Sequence, residues 1–325
     1  MTRTKLTIGL TLSGLLMAGS AMAETVGYIS PIGAQPGQQV ISAGMEAGAK
    51  ELGWDYKLLD ANLSADAQVS HVDTFLNMGL NGFSTWSLDP NAVAGAFSRA
   101  NEAGVPVIGL NSTGEGVTNT VWWATNVCTP GGAYDQQAAW IAGKLPGAKV
   151  VVVGGPPVPS IQANVACFTA AAKAAGLEVI DQIDNTKDSQ ANAATIIADE
   201  LLRKPEVQVF WTYNDASALG VSSAVLAAGK TVYGSAGTDG IMIFGLNADP
   251  DAITAITEGR LTGTWDPNNF ASGLAMILAL QTAMKDPKAA QTPLTVASTL
   301  VTFENVAEAG KGATDMKLAD VPLQK

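Results

Sequence analysis

Short β-branched apolar runs alternate along the chain with longer segments in which alanine and other apolar residues recur at helical spacing. The runs at 25–30, 55–60, 82–87 and 105–110 predict strands, as do those at 150–153, 177–183, 207–213 and 231–237. Between them, 39–52, 65–78, 91–103, 166–175 and 191–203 predict helices, and 271–284 has the same character. Asp89-Pro90-Asn91 and Asn214-Asp215 stand where helices begin, and Gly53 and Gly176 where they end. A strand, a crossover of a dozen or more residues and another strand form the βαβ signature of a parallel sheet. This alternation runs twice, over 25–110 and again over 150–237, which predicts two similar α/β halves. Ligands in such sheets bind beyond the carboxyl ends of the strands, so the residues after each strand are the ones to inspect.

Composition narrows the chemistry. The 325 residues hold 29 acidic and 18 basic side chains, a formal net charge of −11, with 47% hydrophobic residues. The apolar fraction excludes a disordered chain. The acidic balance points away from nucleic acid, which is held mainly by Lys and Arg. One histidine, His71, and two cysteines cannot build a zinc site from nitrogen and sulfur ligands alone. No metal or other cofactor is expected, and no catalytic residue is assigned. Arg3 and Lys5, an uncharged and mostly apolar stretch over 6–18 and the motif Ala21-Met22-Ala23 predict a Sec signal peptide cleaved after Ala23. The stretch is shorter than the roughly 20 residues that span a bilayer. The expected location is the periplasm. In an exported chain Cys128 and Cys167 are candidates for a disulfide, the alternative being two buried thiols.

The strand ends gather amides, carboxylates and tryptophans: Gln35 and Gln38, Trp86, Asn111 and Ser112, Asn164, Asn214, Asp239 and Trp265. Planar amides and carboxylates exchange hydrogen bonds with hydroxyls, and indole faces pack on the C–H face of a sugar ring. Each residue also has a structural alternative. Asn214 serves equally well as a helix cap, and Trp86 or Trp265 as a core or rim aromatic. Trp122 and Trp123 point to opposite faces of an extended chain, so at most one of them reaches a cleft.

Several of these segments resemble ribose-binding-like periplasmic proteins. Val209 to Gly220 resembles their strand followed by Asn-Asp and x-x-Ala-x-Gly, and Gly237-Thr238-Asp239-Gly240 resembles their G-x-D-G strand end. Gly104-Val105-Pro106-Val107 is similar to their G-x-P-V strand, and Gly44 to Gly53 fits their first helix. The resemblance implies the type I periplasmic binding fold: two Rossmann-like domains with parallel sheets, joined by three hinge crossings. It implies one lobe of 24–124 with 266–294 and another of 125–265 with 295–325. The function implied is capture of a monosaccharide for an ABC importer, by a monomer that docks transiently on an inner-membrane permease. Position by position, Asn214 corresponds to the family's ligand-binding Asn, Asp239 to its hydroxyl-bridging Asp and Trp265 to a Gln. Asn111 and Ser112 stand for an Asp-Arg pair, Asn164 for a second Arg, and Gly37 and Gln38 for two first-loop aromatics. With both arginines replaced, the expected ligand is a neutral sugar or polyol rather than an acid sugar or phosphate. The same fold serves sensors that partner chemoreceptors, including receptors for the autoinducer-2 signal, and that remains an alternative. A repressor is not expected, since no helix-turn-helix precedes the first strand. A secreted hydrolase is the third reading. It lacks a G-x-S-x-G elbow, and a glycosidase would need a pair such as Asp239 and Asp266.

Overall fold

The computed structural model describes residues 23–286, 291–309 and 313–324. All of the expected signal segment except Ala23 lies outside the described residues. The first half runs β1 (Thr25–Ser30), α1 (Pro36–Glu51), β2 (Asp55–Asp60), α2 (Ala65–Asn77), β3 (Gly82–Thr85), α3 (Pro90–Glu102), β4 (Val107–Leu110) and β5 (Asn119–Trp123). A 3-10 turn at Ala124–Asn126 leads to α4 (Ala133–Lys144), β6 (Lys149–Gly154), α5 (Pro159–Ala174), β7 (Glu178–Asp184) and α6 (Gln190–Arg203). Then come β8 (Val209–Thr212), α7 (Asp215–Ala227), β9 (Met242–Leu246), α8 (Pro250–Thr257), β10 (Gly263–Asp266) and α9 (Asn269–Lys285), before β11 (Leu294–Val296) and β12 (Thr299–Thr302).

The strands form two sheets, ordered β11-β5-β4-β3-β1-β2 and β12-β10-β9-β8-β6-β7. Every pairing is parallel except β10 with β12. Hydrophobic pattern tracks position in the sheet. Interior strands such as β4, β8 and β9 are buried along their whole length, as expected where helices cover both faces. The edge strands β2 (DYKLLD) and β7 (EVIDQID) carry charged residues and are part-exposed. The chain passes between sheets after β5, after β10 and between β11 and β12. The tail expected with the second lobe divides. β12 joins the second sheet, whereas the Leu318 amide donates to Glu51 of α1 and Leu323 bridges Val296 of β11.

One predicted strand is absent. Residues 231–237 form a turn closed by reciprocal Gly234 and Gly237 backbone bonds, with a single bridge from Val232 to Ile241. The strand beside β8 is instead the wholly buried run Met242–Leu246. This displacement moves the strand end and therefore changes which residues reach the cleft.

α1 crosses α9 with backbone almost touching backbone. A Cβ on Gly44 would lie 2.2 Å from the Phe270 carbonyl oxygen, and one on Gly273 would lie 2.2 Å from that of Ile41. Neither obstacle is a flexible side chain. Gly273→Ala is expected to lower unfolding free energy by about 1–3 kcal/mol, read as a shifted midpoint in urea denaturation.

Candidate functional site

A cavity of about 70 Å³ lies between the two sheets, lined from the carboxyl ends of strands in both. From the first sheet come Pro31 and Ile32 after β1, Leu63 after β2, Trp86 and Leu88 after β3, and Trp123 ending β5. Gln35 and Gln38 enter from the start of α1. Across from them stand Pro156, Val158, Ile161 and Asn164 after β6, Asp188 after β7, Tyr213 and Asn214 after β8, and Leu246 and Asn247 at the end of β9. None of these lining residues is Lys or Arg, and Asp188 is the one carboxylate among them.

Each wall is held by bonds from behind. Gln68 of α2 is fully buried. Its Nε2 donates to Thr85 Oγ1 at 3.1 Å and to the Trp86 carbonyl at 2.7 Å, while its Oε1 accepts from the Leu88 amide at 3.0 Å. The loop that carries Trp86 and Leu88 is thereby fixed. Trp86 meets Trp123 edge-on, with centroids 5.0 Å apart and planes at 89°. Gln38 Oε1 accepts from the Tyr28 hydroxyl at 2.6 Å. On the opposite wall Asp188, at φ 48°, accepts the Tyr213 hydroxyl and, at 2.7 Å, Asn214 Nδ2. Two bonds cross the cleft directly. Gln35 Nε2 donates to Asp188 Oδ2 at 2.5 Å, and Trp86 Nε1 donates to Ser160 Oγ at 2.7 Å. Burial raises Asp188 above the usual carboxylate range, and its bonds to Tyr213, Asn214 and Gln35 oppose that rise.

Of the residues singled out from sequence, the structure brings Gln35, Gln38, Trp86, Asn164 and Asn214 to this cavity. Asn214 also caps α7, its Oδ1 accepting from the Ser217 amide at 2.9 Å, so both of its expected roles coexist. Gln38, expected on a loop, lies within α1. Asn111 and Ser112 stand behind the wall rather than on it. Asn111 Oδ1 accepts from the Trp123 amide and Ser112 Oγ from the Ser87 amide, so they position the two tryptophans. Trp265 is buried on the other side of its strand, donating from Nε1 to Gln137 Oε1 at 2.9 Å beside Tyr134. Period-two alternation along β10 sends Trp265 toward α4 and Thr264 toward Asp215. Asp239 is exposed in the loop before β9, where its carbonyl accepts from Thr231. The strand end that Asp239 was expected to occupy is taken by Asn247. Asp239 and Asp266 lie at opposite ends of adjacent parallel strands, separated by roughly the 16 Å length of β9, too far for a glycosidase pair.

Among the polar and aromatic lining residues, Asp188 and Asn247 are the two that the sequence does not single out; of the Trp122–Trp123 pair it is Trp123 that reaches the cavity, and Tyr213 lies within the Val209–Gly220 segment. The signal for Asn247 was the apolar run before it. For Asp188 it was a polar segment after a strand.

Beneath the cavity Asp215 is fully buried, its Oδ1 accepting from Thr264 Oγ1 at 2.6 Å and its Oδ2 from the Asp249 amide at 2.8 Å. Burial, reinforced by the charge of Asp249, pushes Asp215 up to about 8, and burial pushes Asp249 to about 6. A carboxyl whose folded pKa lies above its unfolded one stabilises fully below the unfolded value and loses that contribution as pH rises through the folded value. The melting temperature is therefore expected to fall between pH 5 and pH 8. Asp215→Asn should flatten that slope in a melting series across the same range.

Cys128 and Cys167 are joined as a disulfide, with Cα atoms 5.9 Å apart, which ties the segment after β5 to α5. Among the described residues no group of His, Cys, Asp and Glu is placed to hold a metal ion, and no helix is long and apolar enough to cross a membrane.

Residues 26–288 match the family described as periplasmic binding protein domain. The chain belongs to this family. Among related periplasmic binding proteins, it is 27% identical to the ribose import binding protein of Bacillus subtilis (strain 168), over 69% of this chain and 70% of that one. It is 24% identical to a putative rhizopine-binding protein of Rhizobium meliloti, over 91% and 96% of the two chains. The fold is shared with the Caulobacter myo-inositol binding protein, solved with myo-inositol bound, at a TM-score of 0.77 and 24% identity, covering 93% of this chain and 100% of that one. A galactofuranose binding protein superposes with the same TM-score at 18% identity, covering 90% and 99%. Both comparisons match the two-sheet α/β fold of a type I periplasmic binding protein.

Proposed function

We propose that this periplasmic binding protein is the solute-binding component of an ABC importer and takes one neutral monosaccharide or polyol into the cavity between its sheets. The observation that carries this reading is the cavity itself, built from strand ends of both halves and lined by amides and indoles without a cation. Ribose, inositol and galactofuranose, named for its relatives, belong to the same chemical class. Contacts made to both lobes favour the closed arrangement, so the ligand shifts a hinge equilibrium toward it. The Gln35–Asp188 and Trp86–Ser160 bonds add to closure. The chain is exported by its signal peptide, cleaved after Ala23, and works in the periplasm as a monomer without enzymatic activity. The closed form is the one that docks on the permease.

Thermal-shift screening of the secreted chain against neutral sugars and polyols tests this. A ligand at about 100 times its Kd stabilises by about 2.7 kcal/mol, a rise of several degrees. Consumption of the sugar with a new product would instead indicate an enzyme. Asn247→Ala is expected to weaken binding at least tenfold, and Asp239→Ala to leave it unchanged, measured by calorimetric titration.

A further inference from the structure

The wall of the cavity is more apolar, and its polar groups more fully engaged, than a site for a fully hydroxylated ring requires. Ile32, Leu88 and Trp123 face it from one side and Val158, Ile161 and Leu246 from the other. Trp86 Nε1 is engaged by Ser160 and Trp123 Nε1 by Ser272. Asp188 already accepts from Tyr213, Asn214 and Gln35, which takes three of the roughly four acceptor sites of the one carboxylate. On the cavity wall, the side-chain polar atoms that make no hydrogen bond to the protein belong to neutral amides. They are Gln38 Nε2, Gln35 Oε1, the Asn247 side chain and Asn164 Oδ1, the last on a residue only 5% exposed. Asn214 keeps a second N–H besides.

Each sugar hydroxyl seeks a donor and an acceptor, so a ring with five of them needs about ten partners, whereas this wall serves about two or three hydroxyls. A hydroxyl turned toward Val158 or Ile161 would lose its water without gaining a partner. Resting on the reading of a sugar or polyol ligand, we infer that the preferred solute is a neutral monosaccharide or cyclitol with a deoxygenated or methylated edge. That edge lies against Val158, Ile161 and Leu246, and the remaining hydroxyls meet Gln38, Asn164 and Asn247.

Calorimetric titration of the full secreted chain with matched pairs tests this: 2-deoxy-D-ribose against D-ribose, L-fucose against L-galactose, L-rhamnose against L-mannose, and an O-methyl inositol against myo-inositol. In at least one pair the less hydroxylated member should bind tenfold or more tighter. Ile161→Asn should narrow that preference, because it supplies a partner where the apolar edge rests. If the fully hydroxylated member binds tighter in every pair that binds, this inference is overturned while the sugar reading stands. If no member of any pair binds, the sugar reading fails and the inference fails with it.

Discussion

Replacing Trp86 with alanine is expected to weaken solute binding about a hundredfold, which corresponds to about 2.7 kcal/mol. Three contributions leave together. The indole forms part of the cavity wall, packs edge-on against Trp123 at 5.0 Å, and donates across the cleft to Ser160 at 2.7 Å. The loss of wall reduces contact with the ligand. Loss of the cross-cleft bond also makes the closed arrangement less favourable, so the hinge equilibrium opposes binding as well. Trp86→Phe keeps an aromatic surface without the N–H donor and should recover part of the affinity. Because Trp86 is only part-buried, the unfolding free energy of both variants should stay within about 1 kcal/mol of the parent. Titration calorimetry and urea denaturation on the same samples separate the two effects.

Opening the Cys128–Cys167 bridge is expected to have the largest effect on stability. The two cysteines are 39 residues apart, and closing a loop of that size restricts the unfolded chain by about 4 kcal/mol. For a chain of this size the melting temperature should fall by about 6 °C, whether the bridge is reduced or both cysteines are changed to serine. The bridge also bears on the site. Asn126, two residues before Cys128, accepts from Asn164 Nδ2 at 3.3 Å, and Asn164 lies three residues before Cys167 on α5. A loosened α5 should therefore weaken ligand binding severalfold under conditions where the protein remains folded.

Much of this architecture is legible in the amino-acid pattern. β1 and β2 fall on the predicted residues because each is a short run bounded by clear turn signals. The helices follow their apolar spacing, with Ser64, Asp89 and Ser189 accepting the capping bonds that start α2, α3 and α6. The misplaced strand has a physical cause. Thr231–Val232–Tyr233 has the β-branched and aromatic character of a strand, but Gly234 and Gly237 fold it back on itself, and the buried sheet position goes to the more apolar Met242–Leu246. The strand so displaced carries Asn247 rather than Asp239 to the cleft.

The polar residues of the site were harder to sort, since lining a cavity and supporting its wall require the same side chains. Asn111 and Gln38 are both buried amides, yet Asn111 is spent on the Trp123 amide while Gln38 faces the cavity. Trp265 belongs to the core because the pleat of β10 turns it toward Gln137. The choice depends on pleat and register, which composition does not carry.

Hydrogen-exchange mass spectrometry of the secreted chain, with and without a solute found by screening, tests most directly whether both halves hold the ligand. Protection should rise together in the segments carrying Gln35 and Gln38, Trp86 and Leu88, Asn164, Asp188, Asn214 and Asn247, and should leave the exposed loop around Asp239 unchanged. Protection confined to one half, or centred on the Asp239 loop, would contradict closure on a solute held between the two sheets.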